Sequence, residues 1–104
     1  QIVGGYVYVQ DPLLASTNLT ATSPSKGVTS LTWTNRTVMI STLVIERCTG
    51  SRCTNFVPVS SVPGTFTSFS ESGLRSSTVF RYRIRATDYL GNTAVSSIVS
   101  VKTR

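Results

Sequence analysis

Four carboxylates, two lysines and no histidine are the acid–base groups this 104-residue chain has for catalysis. Asp11, Glu46, Glu71 and Asp88 lie far apart along the sequence. Glycosidic cleavage needs two carboxylates held about 5 to 9.5 Å apart in a cleft, and no spacing here predicts such a pair. Serine is abundant, but a serine nucleophile without a histidine lacks its usual base. Lys26 falls in a turn-like stretch and Lys102 beside the last residues, poor places for a desolvated catalytic amine. Gly4-Gly5 is not followed by the Gly-Lys-Ser/Thr ending of a phosphate loop. The reading is a non-enzyme that needs no cofactor.

Cys48-Thr-Gly-Ser-Arg-Cys53 is the one pair of soft ligands. A structural metal site would need two more, and the chain has no His and no further Cys. Redox-active pairs are usually separated by two residues at a helix start, and this pair is not. Four intervening residues let the chain reverse and bring the two Cα atoms within bonding reach. The expected element is a disulfide that closes a hairpin, worth about 2 kcal/mol for so short a loop, and it places the chain in an oxidising, extracellular compartment.

Arg81, Arg83 and Arg85 form the other chemical constellation. Guanidiniums about 7 Å apart along a strand could hold sulfated or carboxylated polymers through bidentate contacts. The competing and preferred expectation is a solvated sheet face on which Glu46, on a neighbouring strand, pairs with one of them for less than about 1 kcal/mol. Their spacing comes from the stretch that carries them. Residues 78–86, Thr-Val-Phe-Arg-Tyr-Arg-Ile-Arg-Ala, alternate apolar and cationic side chains. Phe80, Tyr82, Ile84 and Ala86 therefore share one face of a strand and the arginines the other, the pattern of a half-buried antiparallel sheet.

The rest of the chain agrees with an all-β protein. Charged residues are 13% of it, about half of the usual share of roughly 25%. Hydroxyls take their place, with 16 Ser and 16 Thr, and Thr suits strands. No window keeps helical periodicity for three turns. Strands are expected at 18–23, 28–34, 42–48, 55–59, 65–70, 78–88 and 94–102, with breaks rich in Gly, Pro and Asn. Alternation sends Leu19, Ala21, Leu31, Trp33, Leu43, Ile45, Phe66, Leu74, Phe80, Tyr82, Ile84 and Ile98 inward, with the single Trp as anchor. Seven short strands in this length argue for two packed sheets, a β-sandwich. The formal net charge is +6, but the cations are scattered and no basic run of five exists, so no specific nucleic-acid partner is expected. No run of eighteen apolar residues exists, so no membrane insertion is expected. The chain opens on Gln1 without a basic segment before an apolar block; if secreted, it is read as a mature form or a segment of a longer chain.

Asn18-Leu-Thr-Ala-Thr, Leu31-Thr-Trp33, Leu43-Val-Ile-Glu-Arg47, Leu74-x5-Phe80-Arg-Tyr82-Arg-Ile84-Arg-Ala86 and Asp88-x2-Gly91-Asn92, taken together, resemble a fibronectin type III domain of the kind found in bacterial secreted and surface proteins. The resemblance covers residues 13–103. It implies that the first, second and fifth strands form one sheet and the third, fourth, sixth and seventh the other. There is one departure. The family usually places Tyr six residues after the position of Leu74, where its hydroxyl ties the corner between the fifth and sixth strands. Here that residue is Phe80, so the corner is expected to lose a hydrogen bond worth about 1 kcal/mol.

Residues 1–12 stand outside the sandwich pattern of residues 13–104. Ile2, Val3, Tyr6, Val7, Tyr8 and Val9 make an apolar strand or arm, broken by Gly4-Gly5 and ended by Asp11-Pro12. An exposed strand of this kind invites pairing. It folds back on its own domain, or closes a preceding domain, or adds to the sheet of a neighbouring subunit. The preferred expectation is contact beyond the domain, by self-association or with a neighbouring domain. Asn18-Leu-Thr20 and Asn35-Arg-Thr37 match the glycosylation acceptor pattern, though roughly one such match among the four Asn is expected by chance in so hydroxyl-rich a chain. The functional expectation is a non-catalytic extracellular spacer or polymer subunit. The alternatives are a module that binds an acidic polysaccharide or protein, and an accessory domain of a larger secreted hydrolase.

Overall fold

A computed structural model describes residues 13–36 and 39–104, and of the N-terminal arm the strand pairing of Ile2–Val3 and Tyr6–Val7. All regular structure among these residues is β. The arm supplies β1 (Ile2–Val3) and β2 (Tyr6–Val7), which pair antiparallel with each other, Ile2 opposite Val7. They join neither sheet of the sandwich. The expected single arm strand is thus replaced by two short paired segments. Gly4-Gly5 lies between them in sequence, a residue pair favoured in two-residue hairpin turns.

One sheet holds β3 (Thr17–Thr22), β4 (Thr29–Thr34) and β7 (Ser68–Glu71), in the order β3-β4-β7. The other holds β5 (Ile40–Thr49), β6 (Val57–Pro63), β8 (Val79–Asp88), β9 (Thr93–Val95) and β10 (Val99–Lys102). Its order is β10-β8-β5-β6, with β9 also on β8. All pairings are antiparallel. This is the seven-strand distribution that the resemblance implies, with the last strand in two pieces. Pro58 and Pro63 both lie in β6, and an edge strand tolerates residues that cannot donate to a ladder.

The core forms where the two alternating faces meet. Leu19, Leu31, Trp33, Leu43, Ile45, Phe80, Tyr82, Ile84 and Ala86 are buried, as their alternation predicts, and Ile40, Val62 and Val101 join them. Ala21 and Leu74 are only partly buried against this cluster.

Two expected core residues are exposed, Phe66 and Ile98. Phe66 belongs to a turn, its N–H donating to the Pro63 carbonyl at 3.0 Å. The strand starts later than expected, at Ser68, and the opposite parity points inward. Phe69 packs on the core in place of Phe66. Ile98 is displaced by a bulge. β9 pairs Arg85 with Val95, whereas β10 pairs Tyr82 with Val99, a slip of one residue. Such a slip moves every later side chain to the other face. Ser96 fills the break: its N–H donates to the Ile84 carbonyl at 2.8 Å and its hydroxyl accepts the Ile84 N–H at 2.8 Å.

Gly64 sits where a Cβ would lie 2.0 Å from the Ile40 carbonyl oxygen, so only glycine lets the turn after β6 lie against the start of β5. Trp33 is buried, and its indole N–H has no acceptor among the described residues. Trp33→Ala should destabilise the domain by about 3–5 kcal/mol through cavity formation. Trp33→Phe keeps most of the apolar volume and removes the unmatched donor, so it should cost clearly less. Urea unfolding of the two variants checks both statements.

Candidate functional site

The most connected polar group lies between the sheets. Alternation directs Tyr82 of β8 into the core, and a buried phenol needs a partner. Its hydroxyl donates to Glu71 Oε1 of β7 at 2.5 Å. With that proton committed, the Thr29 hydroxyl of β4, 2.8 Å away, is the donor to the phenol oxygen. Arg47 Nη1 of β5 reaches the same Glu71 oxygen at 2.6 Å, and its guanidinium lies 5.4 Å from the centroid of the Phe80 ring. A chain Thr29→Tyr82→Glu71←Arg47 thus links both sheets. Phe80 does not tie the corner, as its lack of a hydroxyl predicts, but Tyr82, two residues on, makes an equivalent link between the sheets. Burial, with the carboxylate of Glu71 beside it, pushes the Tyr82 phenol well above its ordinary pKa.

The disulfide Cys48–Cys53 closes the turn at the end of β5, with the Cα atoms 5.9 Å apart. Gly50 takes φ 116° there, a conformation open to glycine at little steric cost. The closed turn places the Cys53 carbonyl to accept from Arg81 Nη1.

The three arginines of β8 share one face as expected, and each has a partner. Arg83 Nε and Arg85 Nε bind the two oxygens of Glu46 at 2.6 and 3.2 Å. Arg81 and Arg83 lie over the Phe56 ring, 5.9 and 4.4 Å from its centroid. Glu46 is buried beneath them. Burial alone would raise its pKa, but the bonded guanidiniums outweigh that and hold the carboxyl below the usual range. Sequence reasoning expected one Arg–Glu46 pair, and the structure forms two.

Asp88 caps the turn after β8. It accepts from the N–H groups of Leu90 and Asn92, each at 2.9 Å, and from Asn92 Nδ2 at 3.0 Å. The Asn92 side-chain bond first, with the backbone donors, keeps its carboxyl below the ordinary range despite burial. Glu46, Glu71 and Asp88 are thus each committed to a different partner set. Among the described residues, no group of three His, Cys, Asp or Glu side chains is placed to hold a metal.

The two glycosylation motifs differ. Asn18 is exposed in β3 at φ 55°. The Asn35 amide donates to the Gly64 and Phe66 carbonyls at 3.1 and 2.9 Å, and its oxygen accepts from Ser16 at 3.1 Å. Both of its N–H groups are therefore engaged in the fold. Of the arm residues, Tyr8 and Val9 lie outside the described residues, as does Asp11. Sequence reasoning missed the Glu71–Arg47 pair. Its signal was the inward Tyr82, which required a polar partner somewhere across the core.

No protein-family profile and no curated protein sequence matches the chain. Solved structures do. The CNTN1 FN1–FN3 domains of chicken superpose with a TM-score of 0.76 at 18% identity, over 89% of this chain and 33% of that one. An Fn3-like protein from Clostridium thermocellum gives 0.73 at 20% identity, over 88% and 93%. Pectate lyase PelI from Erwinia chrysanthemi, solved with tetragalacturonic acid, gives 0.73 at 17% identity, over 84% of this chain and 28% of the enzyme. The chain therefore spans about a third of the contactin fragment and just over a quarter of the lyase. It has the fibronectin type III fold, an immunoglobulin-like sandwich, as the sequence motifs implied.

Two measurements test these interactions. Tyr82→Phe should remove about 1–3 kcal/mol of stability by leaving Glu71 short of a donor, measured by urea unfolding beside the parent. For the carboxylates, a lowered folded pKa means that stability is present above the unfolded value near 4 and is lost as pH falls through the folded value. Glu46 and Asp88 both act in this window. Glu46→Gln should therefore flatten the fall in stability below about pH 4, measured by denaturant unfolding as a function of pH.

Proposed function

We propose that this chain is a non-catalytic extracellular module, a spacer or a subunit of a surface or filamentous polymer, linked to its neighbour through the N-terminal segment. The observation that carries this reading is where the backbone meets the sandwich. Ser16 bonds Asn35 just beyond the end of β4, and Thr17 pairs with Thr34. At the opposite end, Arg104 N–H donates to Ser23, and Gly27, just before β4, donates to the Arg104 carbonyl. The two ends of the sandwich are thus separated by the length of β4, about 20 Å for six residues. We call them the amino pole and the carboxyl pole. Modules connected in this way extend in line.

The arm supports the joining role. Among the described residues its two strands pair with each other and with no strand of the sandwich, so both arm and edges offer backbone groups that a neighbour can use. The disulfide and the fold support an extracellular site of action. A second reading, an accessory domain of a secreted hydrolase, draws on the likeness to part of the Erwinia pectate lyase.

Sedimentation velocity over a wide concentration range distinguishes these roles. Residues 1–104 should associate with rising concentration, and residues 13–104 should stay monomeric with unchanged stability. A full chain that remains strictly monomeric at high concentration overturns the polymer role. The length of the natural secreted protein, measured by mass spectrometry, tests the accessory-domain reading.

A further inference from the structure

Positive charge is not spread evenly over this molecule. Glu46 bonds Arg83 and Arg85 and offsets one of their two charges, Glu71 pairs with Arg47, and Asp88 is committed to its turn. No other acidic side chain is among the described residues. Backbone bonds gather five further cations at the carboxyl pole. Lys26 precedes Gly27, which donates to the Arg104 carbonyl at 2.9 Å and accepts from Leu74 N–H at 3.0 Å, beside Arg75. Thr103 Oγ1 ties the Arg75 carbonyl at 2.6 Å. Lys102 pairs with Val79, whose carbonyl accepts from Gly50 N–H at 2.8 Å in the disulfide-closed turn that carries Arg52. All five side chains are exposed, and none forms an ion pair among the described residues.

We propose that the carboxyl pole is a docking site for a linear acidic polysaccharide, gripped by Lys26, Arg75 and Arg104 and flanked by Lys102 and Arg52. The site differs from the arginine row of β8, where Glu46 bonds Arg83 and Arg85 and offsets one positive charge, and the Cys53 carbonyl accepts from Arg81. Guanidiniums suit the planar, two-oxygen geometry of carboxylate and sulfate groups. Ser25, Ser51 and Ser77, exposed on the same loops, supply hydroxyls for sugar oxygens. A nucleic acid fits less well, because single strands are held largely by stacking on aromatic rings. The two exposed aromatics among the described residues, Phe66 and Tyr89, lie toward the amino pole: Phe66 is bonded to Asn35, and Tyr89 follows Asp88, which pairs with Ile40. Exposed charges act through a screening length of about 8 Å at physiological salt, so binding should be salt-sensitive.

The test is the affinity of residues 1–104 for immobilised heparin, polygalacturonate and a single-stranded DNA, across a salt series. Combining Lys26→Gln, Arg75→Gln and Arg104→Gln should weaken glycan binding roughly tenfold at low salt, as expected for losing three exposed ionic contacts. These side chains hold no carboxylate, so the unfolding midpoint should stay put. Arg36→Gln, an exposed cation beside Asn35 at the amino pole, should leave binding unchanged while Arg75→Gln weakens it. Retention on heparin alone assigns sulfate as the recognised group, and retention on polygalacturonate alone assigns carboxylate. The proposal falls if the triple variant binds like the parent or if Arg36→Gln is as damaging as Arg75→Gln. It falls equally if DNA is held at higher salt than either glycan.

Discussion

The two sheets are joined by a polar chain as well as by apolar packing, and Tyr82 is its centre. Its ring lies fully buried in the core and its hydroxyl sits between Thr29 and Glu71. Glu71 would be costly at that depth without partners, since an unsatisfied charge near the core is heavily penalised. Arg47 and the phenol supply those partners from β5 and β8. Polar groups that satisfy one another in a low-dielectric interior constrain geometry more tightly than apolar contacts do. The position of β7 against the opposite sheet is fixed here by Glu71, where apolar packing alone would tolerate small slides.

The same few acids shape the surface. Glu46 lies under two arginines, so part of the positive charge on the face of β8 is met from below. The Phe56 ring lies on the same face, its centroid 4.4 Å from the Arg83 guanidinium. Lys26, Arg52, Arg75, Lys102 and Arg104 form no ion pair among the described residues. Electrostatic character among the described residues therefore depends on where Glu46, Glu71 and Asp88 lie as well as on where the cations do.

The hydroxyls that dominate the composition serve the fold. Ser96 fills a bulge, Thr103 gathers the loop before β8, and Thr20 faces Thr32 across two strands at 2.7 Å. Such side chains keep a sheet surface wet without adding charge.

Much of this was legible in local pattern. The alternation of Phe80, Tyr82, Ile84 and Ala86 with three arginines defines a strand and both its faces, because side-chain direction in a strand depends only on parity. The spacing of Cys48 and Cys53 defines a hairpin closure because chain reach is a local property. Parity fails wherever one residue is inserted or a strand begins later than expected. Ile98 and Phe66 were misplaced for those reasons, and neither the Ser96 bulge nor the Pro63–Phe66 turn leaves a distinct mark in composition. The junction of Glu71 with Arg47 and Tyr82, and the gathering of Lys26, Arg75 and Arg104, join residues far apart in the chain. Only the closure of one sheet on the other brings them together, so no reading of neighbours along the sequence could have found them.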